Sequence, residues 1–208
     1  MTAEPFSPIV IPVRESPMDL LRRVKDTLLR PKETWTVVKS EEMTIGRIYR
    51  SYALVLAAIS PVAQMIGLTF IGVSFMGIRY RTSTGNALAD AILSYGVSLG
   101  ALYLIALIVN SLAPKFGSRK NFVNAFKLVA YSWTPSWVAG PVLVIPSLAW
   151  LARLVSLYGL YLFYLGLPTL MDTPRVKVTP YFLLAAVASL VLVAFSLSVV
   201  ALLFPGSV

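Results

Sequence analysis

The stretch YSWTPSWVAGPVLVIP, residues 131–146, carries no charge, yet it holds three prolines and a glycine. Uncharged sequence of this kind suits hydrocarbon, where roughly 20 apolar residues cross about 30 Å. Each proline, however, removes an N–H and crowds the carbonyl four residues earlier. Whether this stretch crosses decides the number of spans, and with it the side of the membrane on which every loop falls.

The flanking charges answer by parity. The loop at 114–121 (PKFGSRKN) and the loop at 172–179 are both basic, as is the polar arm before the first apolar run, so all three are expected on the cytoplasmic side. The region between the two loops must then cross an even number of times. A turn at Pro146-Ser147, with Trp150 just beyond at interfacial depth, divides it into two spans. The competing reading, two re-entrant segments, needs non-helical backbone buried in protein or lining water.

Composition agrees with a membrane solvent. With 57% hydrophobic and 13% charged residues, the chain is more apolar than a soluble domain. Absence of Cys and His removes thiol nucleophiles, imidazole bases and the usual ligands of zinc, haem and iron–sulfur clusters. No catalytic residue, cofactor or metal site is therefore expected. The net charge of +9 is read by position, as topology, and no nucleic-acid partner is expected. The resulting fold class is all-α: a bundle of five transmembrane helices, about 52–76, 88–113, 124–145, 149–171 and 181–204, with an N-terminal amphipathic interfacial helix. Residues 1–16 form a flexible tail, 17–51 a cytoplasmic arm, and 52–204 the membrane domain. The N-terminus is expected inside and the C-terminus outside, although Arg79 and Arg81 fall in a loop assigned to the exterior.

The arm opens with Ser16-Pro17 and Asp19, a helix start with a hydroxyl cap and proline at the first position. Met18, Leu21, Val24 and Leu28 then recur at helical spacing, with Leu20 alongside, among Arg22, Arg23, Lys25 and Asp26. Such a helix suits an anionic surface, so Arg22, Arg23, Lys25 and Trp35 are candidate membrane-surface contacts with anionic lipids at the cytoplasmic face. The same surface, 17–51, could hold a protein partner, or pack on its own bundle.

Within the spans, a charge at mid-bilayer costs at least about 2.5–3.5 kcal/mol. Asp90 and Arg153, both near external helix ends, are candidates to pair with each other, or Asp90 with Arg79 or Arg81. Lys127 and Asp172 are candidates to pair near the cytoplasmic side. Gln64 and Asn110 are polar positions suited to interhelical hydrogen bonds. Pro61, Pro135, Pro141 and Pro168 are candidate helix breaks, and Ser132, Thr134 and Ser136 can supply hydroxyls to the carbonyls freed at the first break of span three. Gly96 and Gly100 form a GxxxG face for intrachain packing or a homo-oligomer. Tyr158, Tyr161 and Tyr164 line one side of span four.

The arm sequence LLRPKETW, with Pro31 and Trp35, and the segment LVSLYGLYLFYLGLPTLMDTP, within a five-span layout, resemble the bacterial branch of the Yip1 domain family over about residues 18–204. The resemblance implies a five-helix integral membrane protein without catalytic residues, in the bacterial inner membrane. Eukaryotic members are associated with vesicle trafficking and small-GTPase partners. Their Asp-Leu-Tyr-Gly-Pro type motif is absent here, where MTIGRIYRSY stands, so no site residue is carried over. The expected function is a membrane scaffold or adaptor, with a small ion or solute channel or transporter, alone or as an oligomer, as the alternative.

Overall fold

The computed structural model describes residues 17–75 and 78–203; the expected tail at 1–16 lies outside them. Among the described residues four helices are long and apolar enough to cross a membrane: Ile45–Ile71, Thr84–Phe116, Pro146–Leu170 and Arg175–Phe195, the last continuing to Leu203. They are called here the first to fourth long helices. The chain is a polytopic helical membrane protein. Two helices precede them, Pro17–Leu29 and Pro31–Ser40. A two-stranded antiparallel ladder, Val73–Phe75 with Ile78–Tyr80, follows the first long helix.

The helix ends have local causes. The first long helix stops at Ile71 because Gly72 turns to φ 76°, ψ 174°, a conformation only glycine adopts readily. The expected continuation to residue 76 is therefore replaced by the start of the β-ladder. Ser83 caps the second long helix by accepting from the Asn86 N–H at 3.3 Å, so that helix begins at Thr84 rather than 88. The fourth starts at Arg175, six residues before the expected start at 181.

Residues 122–144 form no single long helix. The chain is α-helical over Phe122–Ser132, breaks at Trp133, resumes over Thr134–Val138, breaks at Ala139 and runs as a 3₁₀ helix over Gly140–Val144. The breaks sit just before Pro135 and Pro141, as the missing N–H groups require. The segment nevertheless runs the length of its neighbours. Beside the third long helix, Asn124 Nδ2 donates to the Leu170 carbonyl at 3.1 Å, Gly166 faces Leu128, and Gly159 faces the Ser132 carbonyl. These pairs make the two antiparallel. Beside the first long helix the sequence is parallel: Tyr52 meets Thr134, Ser60 meets Gly140, and Gly67 meets Leu143 and Val144.

The core is continuous along these contacts. Trp35, Ile48, Leu102, Phe126, Leu167 and Tyr181 are all fully enclosed, which joins the arm to every long helix. Three glycines allow backbones to touch: a Cβ on Gly140 would lie 2.9 Å from the Ser60 backbone, one on Gly67 2.6 Å from two carbonyl oxygens, and one on Gly159 2.5 Å from the Ser132 oxygen. By contrast nothing lies within 4 Å of a Cβ on Gly96 or Gly100, so these two glycines make no close approach within the described chain.

The first proline break is repaired by a side chain. Pro135 leaves the Tyr131 carbonyl without an N–H, and the Thr134 hydroxyl donates to it at 2.6 Å. That hydroxyl has one proton, so its 2.6 Å contact with Tyr52 is donated by the tyrosine. Substituting Thr134→Val should leave the Tyr131 carbonyl unpaired in the buried core and remove one of the Tyr52 phenol's two side-chain partners, Thr27 remaining, lowering stability by about 1–3 kcal/mol, while Thr134→Ser stays close to the parent. Thermal unfolding in detergent measures both, and equal midpoints for Val and the parent would contradict the repair.

Candidate functional site

The polar chemistry of the chain gathers where the arm meets the bundle. Pro31 starts the second arm helix at its first turn, and Arg30 joins it tightly to the first, so the two form a helical hairpin. The second leg lies along the third long helix. Tyr158 Oη donates to the Leu28 carbonyl at 2.8 Å at one end, Trp35 fits against Gly166 midway, and Lys39 forms an ion pair with Asp172 at the other. Asp172 accepts a positive φ of 51° there.

Trp35 was expected at a lipid surface; the structure corrects this. It is 1% exposed, edge-on to Tyr131 at 6.4 Å between ring centroids, and it stands where a Gly166 side chain would be. The cause is visible only in three dimensions: Gly159 and Gly166 clear a groove on the third long helix, Ser132 filling one part and the indole the other. The first arm helix turns Val24 and Thr27 inward, with Leu20 and Leu28 packed against the core, and leaves Leu21 and Leu29 outward at 70% and 69% exposure. Of the expected basic surface contacts, Arg22 and Lys25 are exposed, Arg22 lying 3.9 Å from Asp26, whereas Arg23 is ion-paired to Glu41.

Lys127 holds the base of the hairpin. It is 2% exposed, and its Nζ donates to the carbonyls of Val38 at 2.7 Å and Glu41 at 2.6 Å. These are end-of-helix carbonyls without intrahelical partners, and a cation there complements the negative end of the helix dipole. The expected pair of Lys127 with Asp172 is thus replaced: Lys39, delivered by the arm, takes the aspartate. Beside Lys127 an open groove of about 500 Å³ is lined by Lys39, Glu41, Glu42, Asn121 and Asn124 among others. Asn121 caps the following helix by accepting from the Asn124 N–H at 3.1 Å.

The remaining candidates lie apart. No ion pair joins Asp90 to Arg153 or Arg81 among the described residues; the Arg79 side chain is outside them. Gln64 is exposed, and Asn110 is 8% exposed with Oδ1 unpartnered among the described residues. Pro61 is buried one turn after an irregularity at Ala58, and Pro168 sits in the last turn of the third long helix without ending it. Tyr158 and Tyr161 meet at 5.5 Å between ring centroids, tilted by 34°, but only Tyr158 reaches the arm; Tyr164 approaches Thr179 at 3.4 Å. Among the described residues no three His, Cys, Asp or Glu gather as a metal site. Lys127 and the Gly159–Gly166 pair were missed as docking residues. Their signal was present: a lone lysine in an apolar run, and glycines two helical turns apart.

A bundle of long apolar helices with its N-terminal arm docked along one of them is an integral, multi-pass membrane protein. The Yip1 domain matches residues 25–200, from within the arm to near the end of the last helix. The chain belongs to the Yip1 domain family. It is 31% identical over 147 residues to the inner membrane protein YohC of Escherichia coli strain K12, covering 68% of this chain and 75% of that protein, and equally to YohC of strain O6:H1. No solved structure matches.

Two substitutions test the docking. Gly166→Val should force the indole and Leu128 apart and lower stability by about 1–3 kcal/mol. Lys127→Met should leave two carbonyls uncapped, worth about 1.5–3 kcal/mol for a charged donor, and so speed tryptic cleavage within 22–32 by roughly tenfold or more. Asp172→Asn, at an exposed pair, should change cleavage little. Unchanged cleavage in Lys127→Met would mean that the lysine does not hold the hairpin.

Proposed function

We propose that this protein is a non-catalytic scaffold or adaptor of the bacterial inner membrane, crossing five times with its arm and basic loops in the cytoplasm and its C-terminus outside. The observation that carries the reading is what the broken segment does. Its breaks bring backbone onto backbone, at Gly140 with Ser60, at Gly67 with Leu143 and Val144, and at Gly159 with Ser132. Contacts this close leave no room for a solute between those helices, which favours packing over passage.

The fifth crossing is residues 122–144, supported by the antiparallel run beside the third long helix and the parallel run beside the first. The interior location draws on the name of the YohC relative and on the basic loops. A cytoplasmic partner would meet the end where Lys39, Glu41, Glu42 and Asn121 border the open groove, a surface of mixed charge with hydrogen-bonding groups of both kinds. Gly96 and Gly100, open along the second long helix, are the proposed contact for a second copy.

The cysteine-free chain makes the topology directly testable. Single cysteines at Lys120 and Lys177 should react with an impermeant maleimide only in inside-out vesicles, and those at Asn86 and Ser147 only in right-side-out ones. Labelling of Ser147→Cys from the Lys120 side would remove the fifth crossing. For the function itself, liposomes containing the protein should leak ions and small solutes no faster than empty ones, and photo-crosslinkers at Asn121 should capture one defined protein. Flux above the empty vesicles that is lost in Pro141→Ala would replace the scaffold with a transporter.

A further inference from the structure

The tip of the docked hairpin lies at an unusual depth. Tyr158, which holds the Leu28 carbonyl at the tip, is the middle residue of the membrane-crossing helix Pro146–Leu170. From there to Leu170 the helix rises about 18 Å, and the second hairpin leg follows it, with Trp35 at Gly166 and Lys39 at Asp172. The docked arm is therefore a re-entrant wedge reaching halfway along a span, not a helix resting across its end.

Arg30, Lys32 and Glu33 occupy that tip and are all exposed. None of them makes an ion pair among the described residues. Their neighbours at the same level of the third long helix, Leu157 and Leu160, are exposed apolar residues at 58% and 47%, as a surface against acyl chains should be. Leu29 and Val37 on the hairpin's outer side, at 69% and 51%, are of the same character. Ordinary hydrocarbon around the tip would have to take up three charges, each costing at least about 2.5–3.5 kcal/mol. Long cationic side chains escape this by reaching polar headgroups, and the bilayer yields by local thinning.

We infer that the docked hairpin indents the cytoplasmic leaflet, drawing phospholipid headgroups down beside the third long helix so that their phosphates meet Arg30 and Lys32. The charge balance fits: on the hairpin Arg22, Lys25, Arg30 and Lys32 are exposed cations against Asp19 and Glu33 as exposed acids, Arg22 lying 3.9 Å from Asp26. Leu29 and Val37 meet the chains of the same lipids. The inference goes beyond a scaffold that binds proteins, because it assigns the lipid itself as a ligand at a defined depth. It rests on the crossing of Pro146–Leu170 and on the proposed orientation with the arm on the Lys120 side.

The test uses the full-length protein in phosphatidylethanolamine–phosphatidylglycerol membranes, with single cysteines at Lys32 and, at the same level on the acyl face, at Leu157. From the side on which Lys120→Cys labels, Lys32→Cys should react with an impermeant maleimide about tenfold or more faster than Leu157→Cys, the acyl region being closed to a charged reagent. A nitroxide at 32 should also relax lipid phosphorus nuclei more strongly than one at 157. In the doubly labelled protein, the dipolar distance between 32 and 157 should be short and narrow, which shows that the hairpin is docked while it reacts. Glu33→Cys serves in place of Lys32→Cys where the latter folds poorly. Equal, slow labelling at 32 and 157 overturns the inference, as does a long or broad distance, which would return the arm to the membrane surface. Fast labelling without phosphorus relaxation overturns it in favour of a water cleft, and dipolar coupling between copies labelled at 32 in favour of a second protomer.

Discussion

Backbone groups in a bilayer have no water to fall back on, and the rest of this structure depends on how residues 131–141 meet that requirement. Pro135 and Pro141 free carbonyls that a regular helix would have paired. Thr134 takes the first with its own hydroxyl and is itself fed by Tyr52 from the first long helix. The Ser136 carbonyl accepts from Ser60 at 3.3 Å, and the 3₁₀ turns carry the chain to Pro146 through bonds such as Val142 N to the Ala139 carbonyl at 3.0 Å. Because Tyr52 and Ser60 of a neighbouring helix complete the hydrogen bonding around the breaks, the broken segment and the helix contact are one feature. The glycines opposite them let that contact close to backbone distance.

The same segment prepares the seat of the arm. Phe122–Ser132 presents Lys127 and Tyr131 towards the hairpin, and the third long helix presents Gly166 and Tyr158. A hairpin without these partners would expose Trp35, Val24 and Val38 and leave the carbonyls of Val38 and Glu41 uncapped. The arm and the membrane helices are thus a single packed unit, and the family match spans both, beginning at residue 25. The groove beside Lys127 is built jointly from arm and bundle residues, so its shape is held by the membrane domain.

Helix class, membrane solvent and family were legible in the sequence because each depends on sums over many residues: apolar length, charge placement and recurrent spacing. Thr134 as the source of a repairing hydroxyl was also legible, because it stands next to the proline that creates the need. Pairings across helices were less so. Lys127 and Asp172 stand near the same end, yet the arm inserts Lys39 and two carbonyls between them. Asp90 and Arg153 share an expected depth but are not joined, since depth says nothing of azimuth around the bundle. Gly96 and Gly100 carry the familiar small-residue spacing without a close intrachain approach, while Gly159 and Gly166, spaced less conspicuously, do the close packing.

By itself the sequence determined that the chain lives in a membrane as a bundle of helices, that it breaks near Pro135 and Pro141, and that it carries an amphipathic arm. Those are consequences of local backbone chemistry and of the free energy of burying apolar length. Only the tertiary structure decided that 131–146 belongs to a broken segment packed backbone to backbone, and that the arm runs down a glycine-cleared groove instead of lying on lipid. Both depend on which faces of distant helices meet, and that is set by shape and by the pairing of a few buried polar groups, neither of which periodicity along one chain can encode.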